Sequence, residues 1–464
     1  MADVDLWYAG ISEVADRLAR RELSPVELTR AMLDRIAALD PKLHAYATVT
    51  TEVALEQAKA AEAEIARGER RGPLHGVPIA VKDLCYTCGI PTAAGMPIHA
   101  GFLPEHDATV VTRLREAGAV LLGKLQLTEG AMADHHPDVT PPVNPWNASH
   151  WAGASSSGSG VATAAGLCFA SLGSDTGGSI RFPSAMNGVT GIKPTWGRVS
   201  RHGIFPLGPT LDHVGPMARS AEDAAIVLGA IAGADASDPT ALAAPVPDYL
   251  ALAPEVRGVR IGVDDASFAR VAPEVEGAVR GAVRELERLG GRAFAVRLPP
   301  SEALARGFVA YCAPEAALAH AETFPSRAAE YGPNMRAFLD VGRMITGMQR
   351  AEVDFASRQF SGALAALFER VDLIAVPVVS AIGMTLDRIA ALAGDADSFA
   401  EFLRFTAPFD FSGSPTITMP CGFEPDGVPI GFQLVGPHLA EDRLIAAGRA
   451  FQAATDWHRR HPSV

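Results

Sequence analysis

The sequence predicts an α/β protein built on a large mixed β-sheet covered on both faces by α-helices. Helical and strand-like periods alternate along most of the 464 residues. The strand candidates are short continuous apolar runs, the pattern of strands buried on both faces. Composition agrees, because 48% hydrophobic and 20% charged residues are those of an ordinary folded protein.

The elements follow in order. Ser24-Pro25 with Glu27 reads as a capping box with proline at the first helical position, and apolar residues then recur at helical spacing through Leu39. A second helix is expected from Glu52 to about Arg67. Gly72-Pro73 ends that pattern, and Val77 to Val81 reads as a buried strand delivering Lys82 and Asp83 at its end. A helix from Asp107 to about Ala117 precedes a strand at Ala119 to Leu122. Further strands are expected at Val259 to Val263, Leu373 to Val378 and Ile417 to Met419, with helices between them. The stretch from Gly233 to Pro254 reads as a long surface loop rather than a subdomain join. The five phenylalanines between Phe399 and Phe411 read as a core-facing helix and turn. There is no repeat, low-complexity run or linker, so one domain is expected over 1–464. Its parts are N-terminal helices over about 8–70, a core over about 72–220 and a C-terminal α/β part over about 255–464.

Forty basic side chains stand against fifty-three acidic ones, a formal net charge of -13, which disfavours phosphate backbones and anionic lipid. The segment from Met1 to Trp7, with Asp3 and Asp5, lacks the order of a secretion signal, and no uncharged apolar run of about 18 residues occurs. The expected location is cytoplasmic, with no nucleic acid and no membrane as partner. Five scattered cysteines are expected to be reduced, and Cys85 and Cys88 lack the second pair that a zinc site requires. His135-His136 reads as a surface loop pair. Oligomeric state is not encoded legibly, and a homodimer is left open.

The chemistry lies between Gly153 and Ser179, where seven glycines and seven serines fill 27 positions broken by apolar runs. Such a segment is no flexible linker; its glycines mark close approach of backbone to backbone or ligand. The dinucleotide, P-loop and Gly-x-Ser-x-Gly patterns all fail. What survives is Ser179 on Gly177-Gly178, with the backbone N–H groups of Thr176, Gly177, Gly178 and Ser179 free to converge as an oxyanion hole. A helix beginning near Ile180, despite Pro183, adds its positive dipole end. Asp175 and Arg181 flank the serine with opposite charges and are expected to pair and brace the loop. A serine there still needs a base, and histidine, with thirteen copies, is the usual choice.

Three blocks carry a wider likeness: Gly153-Ala154-Ser155-Ser156, Gly173-Ser174-Asp175-Thr176-Gly177-Gly178-Ser179-Ile180-Arg181-Phe182-Pro183, and Gly188 to Thr195. With Leu74 to Asp83 upstream and Pro415 to Gln433 downstream, the chain resembles the amidase signature family over nearly its whole length. The resemblance implies that family's fold and a Ser-cisSer-Lys triad, with Ser179 as nucleophile, Ser155 as the bridging serine after a cis peptide bond, and Lys82 as base. It also implies that Ser156 hydrogen-bonds the lysine and that the amides of Thr176 to Ser179 hold the oxyanion. The implied activity is hydrolysis of a small amide with no metal or organic cofactor; a carbamate, urethane or ester substrate, or a glutaminase-type subunit of an amidotransferase, are the alternatives. Only Lys42, Lys59, Lys82, Lys124 and Lys193 are lysines. Lysine is a base near neutral pH only when desolvation lowers its pKa from about 10.4, and Lys82 follows the apolar Ile79-Ala80-Val81. Lys42 and Lys59 are expected on polar helix faces, Lys124 and Lys193 in loops. Substrate choice is expected to lie in the stretches Met132 to Trp146, Tyr311 to Glu315 and Met344 to Arg350.

Overall fold

The computed structural model describes residues 4–132, 134–392 and 395–464. Met1, Ala2 and Asp3 of the N-terminal segment, and Ala133 of the Met132 to Trp146 stretch, lie outside the described residues. The eleven strands are β1 (Tyr46–Val49), β2 (Pro78–Lys82), β3 (Val120–Leu125), β4 (Ala170–Asp175), β5 (Thr190–Lys193), β6 (His213–Ala218), β7 (Arg260–Val263), β8 (Arg292–Ala295), β9 (Leu373–Pro377), β10 (Thr416–Phe423) and β11 (Pro429–Val435). They form one sheet in the order β1-β3-β2-β4-β6-β5-β10-β11-β9-β7-β8. β2 runs parallel to β3 and β4, β7 parallel to β8 and β9, and the remaining pairs are antiparallel. The expected mixed sheet is present.

Every residue of β2, β3, β4, β5, β6, β9 and β11 is buried, odd and even positions alike, so both faces are covered. That is why these strands read as continuous apolar runs. Only the edge strand β8 is exposed throughout. The helices 157–164 and 181–187 pack on each other and on the central strands; the helices 221–231, 273–288 and 441–454 form another packed group against the sheet.

The helix predicted from Pro25 runs Pro25–Leu43, and the Ser24 side chain accepts from the N–H groups of Val26 and Glu27. The capping box is only half formed: no bond from the Ser24 N–H to the Glu27 carboxylate is made among the described residues, while the Ser24 hydroxyl donates to Glu62 on the next helix. Two lysine expectations need larger correction. Lys124 lies within β3 and Lys193 ends β5, and both are fully buried. Lys124 is held by Asp83 at 3.2 Å and Thr92 at 2.7 Å. Lys193 donates to the Ser414 carbonyl at 2.7 Å and contacts His213 Nε2 at 3.1 Å. Buried cations survive only with such partners. The stretch 233–254 holds no helix or strand, as a surface loop should.

Candidate active site

Parallel pairing sets Ala80 and Val81 of β2 beside Ser171 and Leu172 of β4, so both strands end on the same side of the sheet. Ligands of α/β sheets gather outside such carboxyl ends. The last residue of β2 is Lys82. Its Nζ lies 2.6 Å from Ser155 Oγ, 2.9 Å from Ser156 Oγ and 2.9 Å from Ser174 Oγ, and the side chain is fully buried. Burial lowers its pKa to about 7, against weaker opposing fields from Cys85, Asp175 and Asp212. The amine therefore changes charge near neutral pH while three hydroxyls fix its position. Ser156 is fixed in turn, accepting the Ser174 N–H at 3.2 Å and donating to the Ser174 carbonyl at 3.1 Å. Ser174 is a lysine partner that sequence reasoning missed. A second serine in a strand, beside Asp175 and within the glycine- and serine-rich segment, was the available signal.

The Ala154–Ser155 peptide bond is cis. Ser179 is half-buried between buried neighbours, opens onto a cavity, and its hydroxyl makes no hydrogen bond among the described residues. Of the four amides expected to be free, Gly178 is the exception, since its N–H donates to Asp175 Oδ1 at 2.6 Å. The N–H groups of Thr176, Gly177 and Ser179 have no acceptor among the described residues. Gly178 has φ +136°, and a β-carbon there would overlap the Phe182 ring, so both the backbone angle and the space require glycine.

Asp175 organises this loop from below. One oxygen takes the Gly178 N–H; the other takes those of Ile180 at 2.9 Å and Arg181 at 3.3 Å. The Arg181 guanidinium grips the same carboxylate at 3.0 and 2.9 Å and extends to Asp410 and to the Thr406 carbonyl at 2.8 Å. All three charged side chains are fully buried or nearly so. Burial opposes the Asp175 charge, but Arg181 overrides it and holds the carboxyl well below the usual carboxylate range. Burial pushes Asp410 upward despite Arg181, with the neighbouring Asp175 charge adding to the rise. The predicted helix after the loop runs Arg181–Asn187, with Pro183 in its first turn, where a missing N–H costs nothing.

The cavity at Ser179 has a volume of about 90 Å³. Trp151, Phe182, Phe308, Phe399 and Phe402 form its aromatic wall, and Asp134 and Thr176 join Ser179 as its polar residues. Phe182 and Phe402 stack with centroids 4.5 Å apart, and Trp151 meets Phe402 edge-on at 5.6 Å. Phe402 and Leu392 are shared with a second cavity of about 940 Å³, whose lining includes Arg270, Arg306 and Arg388. The phenylalanine cluster thus divides: Phe405 and Phe409 are core, whereas Phe399 and Phe402 face the cavity.

Two of the expected specificity stretches are corrected. Tyr311 to Glu315 lies inside the helix Glu302–Ala319, and Met344 to Arg350 is a helix junction with Arg350 packed over the Tyr311 ring. Neither reaches this cavity; Met132 and Asp134 of the third stretch do. The histidine pair is also not a surface feature: His136 is buried, and His135 Nε2 lies 3.1 Å from the Ser157 hydroxyl, with burial lowering the His135 pKa to about 4. All five cysteines are free.

The amidase family profile matches residues 27–445. The chain belongs to the amidase family. It is a hydrolase of carbon–nitrogen bonds in linear amides, not peptide bonds. It is 48% identical over 454 residues to AmiD of Mycobacterium tuberculosis, which carries an amidase name, covering 98% of this chain and 96% of that one. It is 38% identical to one component of the glutamyl-tRNA(Gln) amidotransferase of Moorella thermoacetica, covering 99% of each. The crystal structure of the native peptide amidase of Stenotrophomonas maltophilia superimposes with a TM-score of 0.83 at 32% identity, over 98% of both chains.

Proposed function

We propose that Ser179 is the nucleophile of this amidase, Ser155 the proton bridge and Lys82 the base. The observation that carries the proposal is the fully buried Lys82 amine, 2.6 Å from the hydroxyl of Ser155, the residue next to Ala154 in the wall of the cavity that Ser179, Thr176 and Gly177 also line. Neutral Lys82 takes the Ser155 proton while Ser155 takes that of Ser179, whose oxygen adds to the substrate carbonyl carbon. The carbonyl oxygen gathers negative charge opposite the N–H groups of Thr176, Gly177 and Ser179. Collapse of the adduct breaks the C–N bond, the relay returns the proton to the leaving nitrogen, and water then releases the acid by the same path. Ser156 and Ser174 hold the amine; Asp175 and Arg181 hold the loop. None of these steps calls for a metal or cofactor.

The cavity wall supports an apolar acyl or aryl group on the substrate. Free glutamine carries a carboxylate and an ammonium, and no lysine or arginine is among the described lining residues to receive the carboxylate. That favours a self-contained amidase acting on apolar amides. The likeness to an amidotransferase component supports the second reading, in which a partner protein is required. Lys82, Ser155 and Ser179 lie on one chain, and we propose that this relay works without a partner or a second copy. Carbamates and esters present the same carbonyl and remain within reach of the same relay. No described helix is long and apolar enough to cross a membrane, and with five free cysteines this supports a cytoplasmic enzyme. Strands from all three parts of the chain share one sheet, which supports a single domain.

The test is peptide mapping after a serine-directed fluorophosphonate, with label expected on Ser179 alone; label on another serine overturns the assignment. A panel of apolar amides, carbamates, esters and glutamine, with purified chain, separates the readings. Release of amine from an aryl amide without partner or ATP supports the first, and glutamine turnover only with a second protein supports the other.

A further inference from the structure

A second cluster lies behind the aromatic wall. His150, Glu424 and Asp426 each offer one ligand atom, and these atoms all lie within 4.8 Å of one another. His150 is 4% exposed. Its Nδ1 faces the Ser149 hydroxyl at 3.3 Å. Its Nε2 is 3.0 Å from Asp426 Oδ2, yet it is buried and makes no hydrogen bond among the described residues. A neutral imidazole carries one N–H and one lone pair. A proton on Nε2 lacks an aligned acceptor, and a bare Nε2 faces carboxylate oxygens that donate nothing. The protein alone satisfies neither state; a cation on the lone pair satisfies the nitrogen and both carboxylates together.

The carboxylates point the same way. Glu424 is buried and, among the described residues, uses one carboxylate oxygen, accepting the Gly383 N–H at 2.7 Å. The Arg388 guanidinium nearby is engaged by the Ile382 carbonyl at 2.7 Å. Two carboxylates this close cost less beside a dication.

We propose that His150, Glu424 and Asp426 bind a divalent transition-metal ion of the zinc, cobalt or manganese class. One imidazole with two carboxylates suits such ions; magnesium and calcium favour oxygen alone. The ion is a fastener and takes no part in hydrolysis. His150 forms a β-bridge with Thr385, and the neighbouring Trp151 N–H donates to the Met384 carbonyl at 2.9 Å. Trp151 lines the Ser179 cavity, as do Ile389 and Leu392 just beyond Thr385. The ion would tie this wall to the turn after β10.

The test is calorimetric titration of metal-stripped, full-length enzyme with Zn²⁺, with Mg²⁺ for comparison. Saturable uptake of one equivalent of Zn²⁺ is expected, weakened at least about tenfold by Asp426→Asn and by His150→Gln. Zn²⁺ should raise the thermal midpoint of the parent and not of Asp426→Asn. Asp426 is 43% exposed, so that variant should fold and, metal-free, hydrolyse amides at the parental rate. Absence of saturable Zn²⁺ binding, equal affinity in parent and both variants, or preference for Mg²⁺ overturns the proposal.

Discussion

The Thr406 hydroxyl donates to the Gly177 carbonyl at 2.6 Å, and the N–H of that same Gly177–Gly178 peptide is held by Asp175 at 2.6 Å. One peptide plane is therefore pinned from both ends, by a side chain 229 residues away on one side and a neighbouring carboxylate on the other. The flanking N–H groups of Gly177 and Ser179 inherit that orientation. Thr406→Val keeps the shape but leaves a buried carbonyl unpaired, a cost of about 1–3 kcal/mol. The expected outcome is a fall in kcat of about tenfold or more at nearly constant KM, with Thr406→Ser restoring most of it. Steady-state kinetics on one aryl amide decides the matter, and unchanged kcat in the valine variant refutes the clamp.

Lys82→Met replaces the amine with an unbranched apolar side chain of similar length. General-base contributions are about 10²–10⁴-fold, and kcat should fall by that order while the protein stays folded. In the parent, the active base is the uncharged amine. With its pKa lowered to about 7, kcat/KM should rise with pH from 5, reach half its plateau near 7 and stay level above 8. A profile that falls across this range would mean that the charged form is the active one.

Ser174→Ala shifts that profile predictably. The Ser174 hydroxyl lies 2.9 Å from Lys82 Nζ and accepts better from an ammonium than from an amine. Its loss should disfavour the charged form, moving the kinetic midpoint below that of the parent by up to about one unit. A merely structural role would lower kcat without moving the midpoint.

Much of this was legible in the sequence because central strands buried on both faces write themselves as apolar runs, and because glycines at 177 and 178 mark a loop that the Phe308 and Phe182 rings press too closely for a β-carbon. Long-range partnerships were not. Nothing beside Lys124 or Lys193 announces that Asp83 or the Ser414 carbonyl waits inside the sheet, so both lysines read as loop residues. Ser24 gave half of a capping box correctly, and the tertiary bond from its hydroxyl to Glu62 on the next helix had no local signal. The loop amides looked equivalent until Asp175 claimed that of Gly178. The cavity wall drew on segments as distant as Trp151, Phe308 and Phe402, which no local pattern joins.

Phe402 stands between the 90 Å³ cavity at Ser179 and the 940 Å³ cavity beyond. Phe402→Ala should merge them. For amides with bulky groups, kcat/KM should rise relative to the smallest substrate by about tenfold, the scale of a few methylenes newly accommodated. Loss of the stack on Phe182 should also cost about 0.5–1.5 kcal/mol. Competition between a small and a bulky anilide measures the first effect, and denaturant unfolding the second. An unchanged preference would show that the wall is not the selector.

Asp175→Asn tests the buried brace. The substitution leaves Arg181 with Asp410 as its remaining carboxylate partner and weakens the acceptors for three backbone N–H groups. Breaking one partner out of a buried ion pair costs about 3–5 kcal/mol, and that loss is expected in urea unfolding at pH 7. The acid dependence supplies the sign. Asp175 is held below its unfolded value of 3.8 in the native state, so its contribution is complete above about pH 5 and disappears as pH falls below 4. The gap in stability between parent and variant should therefore be widest at neutral pH and shrink in acid. Labelling of Ser179 should slow even where the variant is fully folded, because the loop it anchors has lost its template. A variant of parental stability at pH 7, or a gap that widens in acid, would show that Arg181 and Asp410 suffice without it.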